Sequence, residues 1–302
     1  MRVGVTVSGL GRLYGDDLAA VIDVARAADE AGIDHVVMPD HLAMGTRTDR
    51  YPFGKFPYPP DEPWLEPLSV LAAMASATER VRLATGLLIA PLRSPLVVAR
   101  TVATIDVLSR GRVDLGVGTG WQREEFVDPA APFAGRAARM DDLVRACRVL
   151  WEQEPPARFE SPTVSFDELW CEPRPAQSRV PVLYGGGPND ATFRRIVELG
   201  DGWLPLGVPA DDLGAFVERL RAGYVDAGRD PALLDVRQTL RVVTTDDGGA
   251  DLEATLAPVP GLASLGVTAV SGALGRFLAT RADVGPFLRD LAAAAHDDTR
   301  RG

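Results

Sequence analysis

The chain has 302 residues, a length that suits one large barrel domain or two average domains. With 46% hydrophobic and 25% charged residues it has a globular composition, which excludes a disordered or fibrous chain. The formal net charge is −10, and the basic residues form no stripe that would follow phosphates, so we expect no nucleic-acid partner.

Cysteine usage and hydropathy predict the cellular compartment of the protein. Cys147 and Cys171 are the only two cysteines, too few for a disulfide framework, and they form no CxxC pair. The first residues lack the apolar run of a signal peptide, and no stretch approaches the roughly 20 apolar residues that span a bilayer. We therefore expect a cytoplasmic protein that does not bind membranes.

Strand-like and helix-like segments alternate along the chain. The predicted strands are Arg2–Ser8, Ile33–Met38, Val81–Ile89, Arg112–Val117, Val180–Tyr184, Gly202–Leu204, Val236–Thr244 and Val267–Ser271. The predicted helices, one after each strand, are Asp17–Ala31, Leu65–Thr78, Pro95–Ser109, Arg136–Trp151, Asp190–Leu199, Ala210–Ala227, Leu252–Ala263 and Val284–Ala295. Continuous apolar strands such as the second are expected where helices cover both faces of a parallel sheet.

Eight strand–helix pairs favour an α/β fold of the (β/α)8 TIM-barrel type, built as a single domain from residues 1–302. Alternation does not establish closure, so a doubly wound sheet remains the alternative.

Two long insertions interrupt the alternation. Leu42–Trp64 follows the second strand and is therefore expected at the carboxyl-terminal face, where barrel enzymes keep their active sites. It is rich in proline and aromatic residues. The second insertion, Glu152–Arg179, carries an apolar alternation at Phe159, Val164 and Phe166 that predicts a small hairpin.

His41 is the best catalytic candidate. It stands with Pro39 and Asp40 where the second strand ends, and histidine can give or take a proton near neutral pH. The competing interpretation is a structural histidine. His35 begins a strand and His296 lies in a polar tail, so neither is expected to be catalytic.

Glycines follow two other strands. Gly185, Gly186 and Gly187 lead from a strand into a helix, where backbone N–H groups and the helix start favour a phosphate; a plain turn is the alternative. Gly116, Gly118 and Gly120 resemble half of a dinucleotide fingerprint, but the third glycine's position holds tryptophan, so a nicotinamide site is disfavoured.

Other signals are weaker. Gly86 interrupts a β-branched strand, which indicates a bulge or a ligand contact. The neighbouring acids Glu124 and Glu125 are interpreted as a solvated pair rather than as proton-transfer groups. No Ser-His-Asp order, HxH or HExxH pattern is present, so we expect neither nucleophilic hydrolysis nor a metal site.

Three segments resemble the luciferase-like monooxygenases, most closely the deazaflavin-dependent branch. They are MPDHL at 38–42, residues 77–126 with ATGLLIAPLRSP and LGVGTGWQREEF, and PVLYGGGPNDATFRRIVELGDGWLP at 181–205. The resemblance covers about two thirds of the chain, from Val3 to about Leu206, and is least diagnostic in the C-terminal third. It implies a (β/α)8 barrel with a flavin-like ring in its mouth and, on strand three, a non-prolyl cis peptide at Gly86–Leu87.

The resemblance also implies the roles of site residues. His41 matches a proton-transfer group near the hydride acceptor. The implied cofactor-binding residues are Asp40, Gly86, Leu87, Thr119, Gly120, Gly185, Gly186 and Gly187. A sugar-phosphate dehydrogenase subgroup has a glutamate after the Thr-Gly pair, but here Trp121 takes that place, which predicts a more apolar substrate pocket walled by Trp121 and Trp64.

The leading functional hypothesis is a coenzyme F420-dependent oxidoreductase that moves a hydride to or from a small organic molecule. The alternative is a two-component monooxygenase that uses reduced FMN on the same barrel, and a third hypothesis is a flavin-binding paralogue without turnover. By family analogy we expect a homodimer, although no sequence pattern shows the interface.

Overall fold

Eight parallel strands close into a barrel in the computed structural model, which describes residues 1–246 and 249–298. We number the strands β1 Arg2–Thr6, β2 His35–Met38, β3 Arg82–Thr85 with its continuation Leu88–Ile89, β4 Val113–Gly118, β5 Val182–Gly186, β6 Gly202–Pro205, β7 Asp235–Thr239 and β8 Ala269–Ala273. Each strand pairs with the next, and β8 closes on β1 with Ala269 opposite Arg2. The predicted TIM barrel is confirmed, and the doubly wound alternative is wrong.

Helices cover the outside of the barrel. Those that follow β1 to β8 in turn are Val21–Ala31, Pro67–Ala77, Pro95–Leu108, Arg136–Glu152, Asp190–Glu198, Ala210–Asp226, the pair Leu252–Leu256 and Val259–Ser264, and Val284–Asp298. Two short helices, Leu10–Tyr14 and Leu274–Phe277, come directly after β1 and β8. Within residues 1–246 and 249–298, none of the helices has the length and hydropathy to cross a bilayer.

Two antiparallel ladders lie outside the barrel. Ala157–Glu160 pairs with Ser165–Leu169, which is the hairpin expected in the second insertion. Val243–Thr244 pairs with Ala250–Asp251.

The second ladder corrects the predicted strand Val236–Thr244. In the structure β7 ends at Thr239, and Val243 is exposed in a separate ladder, so β-branched composition there does not reflect a core strand. The predicted helix Leu252–Ala263 is also two helices. Pro258 lies between them, and a proline has no N–H to continue the helical ladder.

Strand β3 is interrupted at the Gly86–Leu87 peptide bond, which is cis. A Cβ at Gly86 would lie 2.3 Å from Val37 Cγ1, so glycine is required by the close approach of β2. Gly86 N–H donates to the Met38 carbonyl at 2.8 Å, and Ile89 N–H donates to Asp40 Oδ2 at 2.8 Å. The expectation of a cis bond at this position is confirmed.

The amino-terminal end of the barrel interior contains a buried ion network. Asp114 Oδ2 accepts hydrogen bonds from Arg237 Nη2 at 2.8 Å and from Arg82 Nε at 3.0 Å, and Asp235 accepts from the same Arg237 nitrogen at 2.6 Å. Burial by itself would raise the pKa of Asp114, but Arg237 and Arg82 outweigh it and hold that pKa below its usual value. The network ties β3, β4 and β7 together beneath the mouth.

We predict that Asp114→Asn lowers the free energy of unfolding by about 3 kcal/mol, because it leaves buried guanidinium charge without its carboxylate. The stabilisation from Asp114 is present above the unfolded aspartate pKa of about 4 and is lost as pH falls below it, so the variant should also show weaker acid dependence. Urea unfolding between pH 3 and 7 measures both effects. Asp167→Asn removes an exposed ion-pair partner and is the matched control. Equal stability of Asp114→Asn and wild type at pH 7 would show that the network is not stabilising.

Candidate active site

Two adjacent cavities open at the carboxyl ends of the strands. The first, of about 480 Å³, is named the aromatic cavity; its walls include His41, Phe56, Trp64 and Trp121. The second, of about 470 Å³, is named the axial cavity; it extends along the barrel interior to Asp114 and Arg237. The side chains and backbone that border both are Tyr51, Phe53, Pro57, Tyr58, Gly86, Leu87 and Leu206. The interruption of β3 therefore forms part of the wall between them.

His41 forms a buried pair with Glu125. Nδ1 of His41 lies 2.7 Å from Oε1 of Glu125, and the two side chains are 10% and 0% exposed. Glu125 Oε2 has no hydrogen-bond partner among the described residues. Our interpretation of Glu124 and Glu125 as a solvated pair is thus wrong for Glu125, which turns inward from the short 3-10 turn Arg123–Glu125.

The contact with Glu125 bears on which ring nitrogen of His41 carries the proton. An ionised carboxylate accepts hydrogen bonds only, so Nδ1 of His41 carries the proton that is donated to Glu125. In the neutral ring Nε2 is then an acceptor, and no hydrogen bond to Nε2 is found within the described ranges. A role of His41 in proton transfer at Nε2 stays a prediction.

Aromatic side chains enclose the pair. The ring centroid of His41 is 4.8 Å from that of Trp64, 5.8 Å from that of Phe56 and 6.0 Å from that of Trp121. Trp64 Nε1 is buried and finds no acceptor among the residues described. The structure thus brings both predicted wall tryptophans to the catalytic candidate, and one indole N–H there has no acceptor among the described residues.

Asp40 lies in the same cavity but is largely occupied by protein. Besides Ile89 N–H it accepts from Arg93 Nη2 at 2.9 and 3.0 Å, and Arg93 is itself mostly buried. Burial raises the pKa of Asp40, an effect that Arg93 opposes. In the structure Asp40 holds the second half of β3 in place through Ile89 N–H. Direct cofactor binding by Asp40 stays a prediction.

The predicted cofactor residues divide into two groups. Those that line the aromatic cavity are Asp40, Gly86, Leu87, Thr119, Gly120, Gly185 and Gly186. Gly187 is not among the lining residues, since it leads on into the helix Asp190–Glu198.

Gly118 and Gly185 make room for Leu87. A Cβ at Gly185 would lie 2.2 Å from Leu87 Cδ1, and a Cβ at Gly118 would lie 2.8 Å from the same atom. Because real Cβ atoms do not approach so closely, a side chain at either glycine would force the Leu87 side chain to shift. The glycine at 185 is thus explained by packing as well as by its place on the cavity wall.

The residues present fit a flavin-type cofactor. Gly118, Gly120, Gly185 and Gly186 border the aromatic cavity with backbone alone, and Thr119 lies between the first two. The helix Asp190–Glu198 begins just beyond Gly186, and the N-terminus of a helix favours a phosphate. This gives a cleft with room for a ring and backbone groups to orient it.

Arg136 is a site residue that the sequence did not reveal. Its Nε donates to the Gly120 carbonyl at 3.1 Å, and its guanidinium lies 3.7 Å from the centroid of the Phe133 ring. It lines the aromatic cavity and places a positive charge beside the Thr119–Gly120 turn. It begins a predicted helix, and a helix-terminal arginine in an arginine-rich chain gave no signal.

His35 contrasts with His41. It is buried in the wall of the axial cavity, and neither ring nitrogen has a partner in the part of the chain that the structure describes. Burial, followed by the charge of Arg237, lowers the pKa of His35 to about 3, so the ring stays neutral at physiological pH. The side chain of His296 lies outside the described part of the structure.

Comparisons with known proteins identify the family and agree with the barrel fold. The family described as luciferase-like monooxygenase matches residues 1–297. An uncharacterized protein of Mycobacterium tuberculosis is 34% identical over 68% of this chain and 74% of its own length. The F420-dependent hydroxymycolic acid dehydrogenase of M. tuberculosis is 31% identical over 77% of this chain and 61% of its own length. The crystal structure of monooxygenase RslO1 from Streptomyces bottropensis has a TM-score of 0.79 at 20% identity, covering 97% of this chain and 98% of that one.

We predict that Gly185→Ala lowers the free energy of unfolding by about 1–3 kcal/mol, because the new methyl group must displace Leu87 from a packed position. Gly187→Ala is the matched control: the nearest non-neighbouring atom to its Cβ is Asn189 Nδ2 at 4.0 Å, so its stability should not fall. Chemical unfolding of both variants measures the difference. If the two variants are equally stable, the packing of Leu87 against Gly185 is not constraining.

Proposed function

Because this chain belongs to the luciferase-like monooxygenase family, whose members are oxidoreductases, we propose that it is a coenzyme F420-dependent oxidoreductase acting on a small organic substrate. The observation that carries the proposal is the buried His41–Glu125 pair in a cavity bordered by the Gly86–Leu87 bond. The F420-dependent hydroxymycolic acid dehydrogenase among the relatives supports the choice of cofactor.

The residues that would hold the cofactor are the glycine-lined backbone segments of the aromatic cavity, Gly118 to Gly120 and Gly185 to Gly186, with the following helix start near the phosphate. When bound, the deazaflavin supplies a carbon that accepts or gives a hydride. The protein's part is to bind, to orient and to manage the proton that accompanies the hydride.

His41 would manage that proton at Nε2. As a substrate hydroxyl is oxidised, Nε2 takes the hydroxyl proton, and in the reverse direction it returns a proton to a carbonyl oxygen. Glu125 keeps Nδ1 protonated and stabilises the imidazolium. Trp64, Trp121 and Phe56 surround the His41 ring with apolar surface, and an apolar environment strengthens electrostatic interactions.

Cofactor titration tests the proposal. We expect intrinsic fluorescence to report tight, saturable binding of oxidised F420, with FMN binding at least ten-fold weaker at the same ionic strength. Selective binding of FMN, checked also with the reduced form, would instead support the two-component monooxygenase. Binding of neither would overturn the cofactor assignment, and binding of F420 without turnover of any alcohol or carbonyl would support the paralogue without activity.

The role of Glu125 has its own test. We predict that Glu125→Gln lowers kcat by about ten-fold or more, because it removes the charge that stabilises protonated His41, while F420 affinity stays unchanged. Glu124→Gln removes the neighbouring, partly exposed carboxylate and is the matched control. Steady-state kinetics at saturating F420 measure both variants. Equal kcat values for the two variants would exclude a catalytic partnership between Glu125 and His41.

A further inference from the structure

The mouth of the axial cavity carries three positive charges. Lys55 comes from the insertion after β2, Arg241 follows β7, and Arg276 lies in the short helix after β8. All three are exposed, and none forms a hydrogen bond or an ion pair with any residue in the described ranges. Loops distant in sequence therefore bring three cations to one opening, which we call the basic rim.

The basic rim is not neutralised from inside the cavity. Asp114 is the one carboxylate among the described residues that line the axial cavity, and it is already bound by Arg82 and Arg237. The protein as a whole has a net charge of −10. A local excess of positive charge in an acidic protein attracts an anion, and a cleft with apolar walls focuses that attraction.

The walls of the axial cavity suit an organic ligand. Between the rim and the charged floor the lining is mainly small or apolar, with Val37, Ala84, Leu183 and Leu204, and hydroxyls are contributed by Thr6, Thr239 and Ser271. Gly86, Leu87 and Tyr58 border this cavity and the aromatic cavity alike. A ligand with its acidic group at the basic rim could therefore extend towards His41.

We propose that Lys55, Arg241 and Arg276 form an anion-binding subsite for a carboxylate or phosphate group of a molecule bound in the mouth of the barrel. The inference rests on the proposed function, since it assigns the chemistry of a ligand of the same site. The anionic group belongs either to the substrate or to the acidic tail of F420. It is separate from the phosphate position at Gly186, which lies on the aromatic cavity.

The experiment compares two triple variants. The rim variant is Lys55→Gln/Arg241→Gln/Arg276→Gln. The control variant, Arg100→Gln/Arg194→Gln/Arg289→Gln, removes the same charge from three other exposed positions. Thermal unfolding establishes that both are folded. Calorimetric titration of the protein without cofactor with inorganic phosphate and with benzoate tests the subsite directly, independently of the cofactor assignment. We expect the rim variant to bind at least one of these anions ten-fold more weakly than the control variant.

Two further titrations show whether the bound anionic group belongs to the substrate or to the F420 tail. Weaker binding of F420 to the rim variant, with unchanged binding of the deazaflavin riboside that lacks phosphate and tail, assigns the subsite to the cofactor. Unchanged F420 affinity, with weaker binding of phosphate or benzoate to the F420-loaded protein, assigns it to the substrate. If the rim and control variants bind every probe equally, the proposal is overturned, whether or not F420 binds.

Discussion

The close approach of β2, β4 and β5 to the interruption in β3 is the constraint on which the site depends. Leu87 occupies the space that side chains at Gly118 and Gly185 would need, while Gly86 lies directly against Val37. Asp40 holds the strand beyond the interruption through Ile89 N–H. The wall between the two cavities is thus packed closely against residues of three neighbouring strands.

The barrel separates stability from chemistry along its axis. Below the mouth, Asp114, Arg237 and Arg82 satisfy one another in a buried network that ties together β3, β4 and β7. Above it, Glu125 Oε2 and Trp64 Nε1 are buried without protein partners among the described residues. Unsatisfied buried groups cost free energy, and both of these atoms belong to side chains that contact His41.

Much of the fold was predictable because helix and strand periodicities alternate eight times, which favours a barrel, although closure itself is shown only by the pairing of β8 with β1. The ends of the strands and helices were less predictable. The predicted strand Val236–Thr244 failed because β-branched residues suit an exposed ladder as well as a core strand, and the predicted helix Leu252–Ala263 ignored Pro258. Local composition does not report which face of a segment is covered.

The site was predicted only in part, because some of its residues meet only in the folded chain. His41 is predicted from its position after the second strand, and Trp64 and Trp121 are predicted from the family resemblance; the structure brings all three into one cavity. Glu125 was misjudged because its partner is 84 residues away in sequence, and only the meeting of the loops after β2 and β4 buries it. Arg136 and the basic rim also depend on loops that meet in space, which spacing along the chain does not encode.

The most direct test of this account is a crystal structure of the protein grown with oxidised F420. We expect the deazaflavin ring to contact the Gly86–Leu87 backbone and to lie beside His41, with the phosphate near Gly186 before the following helix. A ring bound outside both cavities, or a bound ring that leaves His41 and Glu125 remote from its reactive carbon, would contradict it.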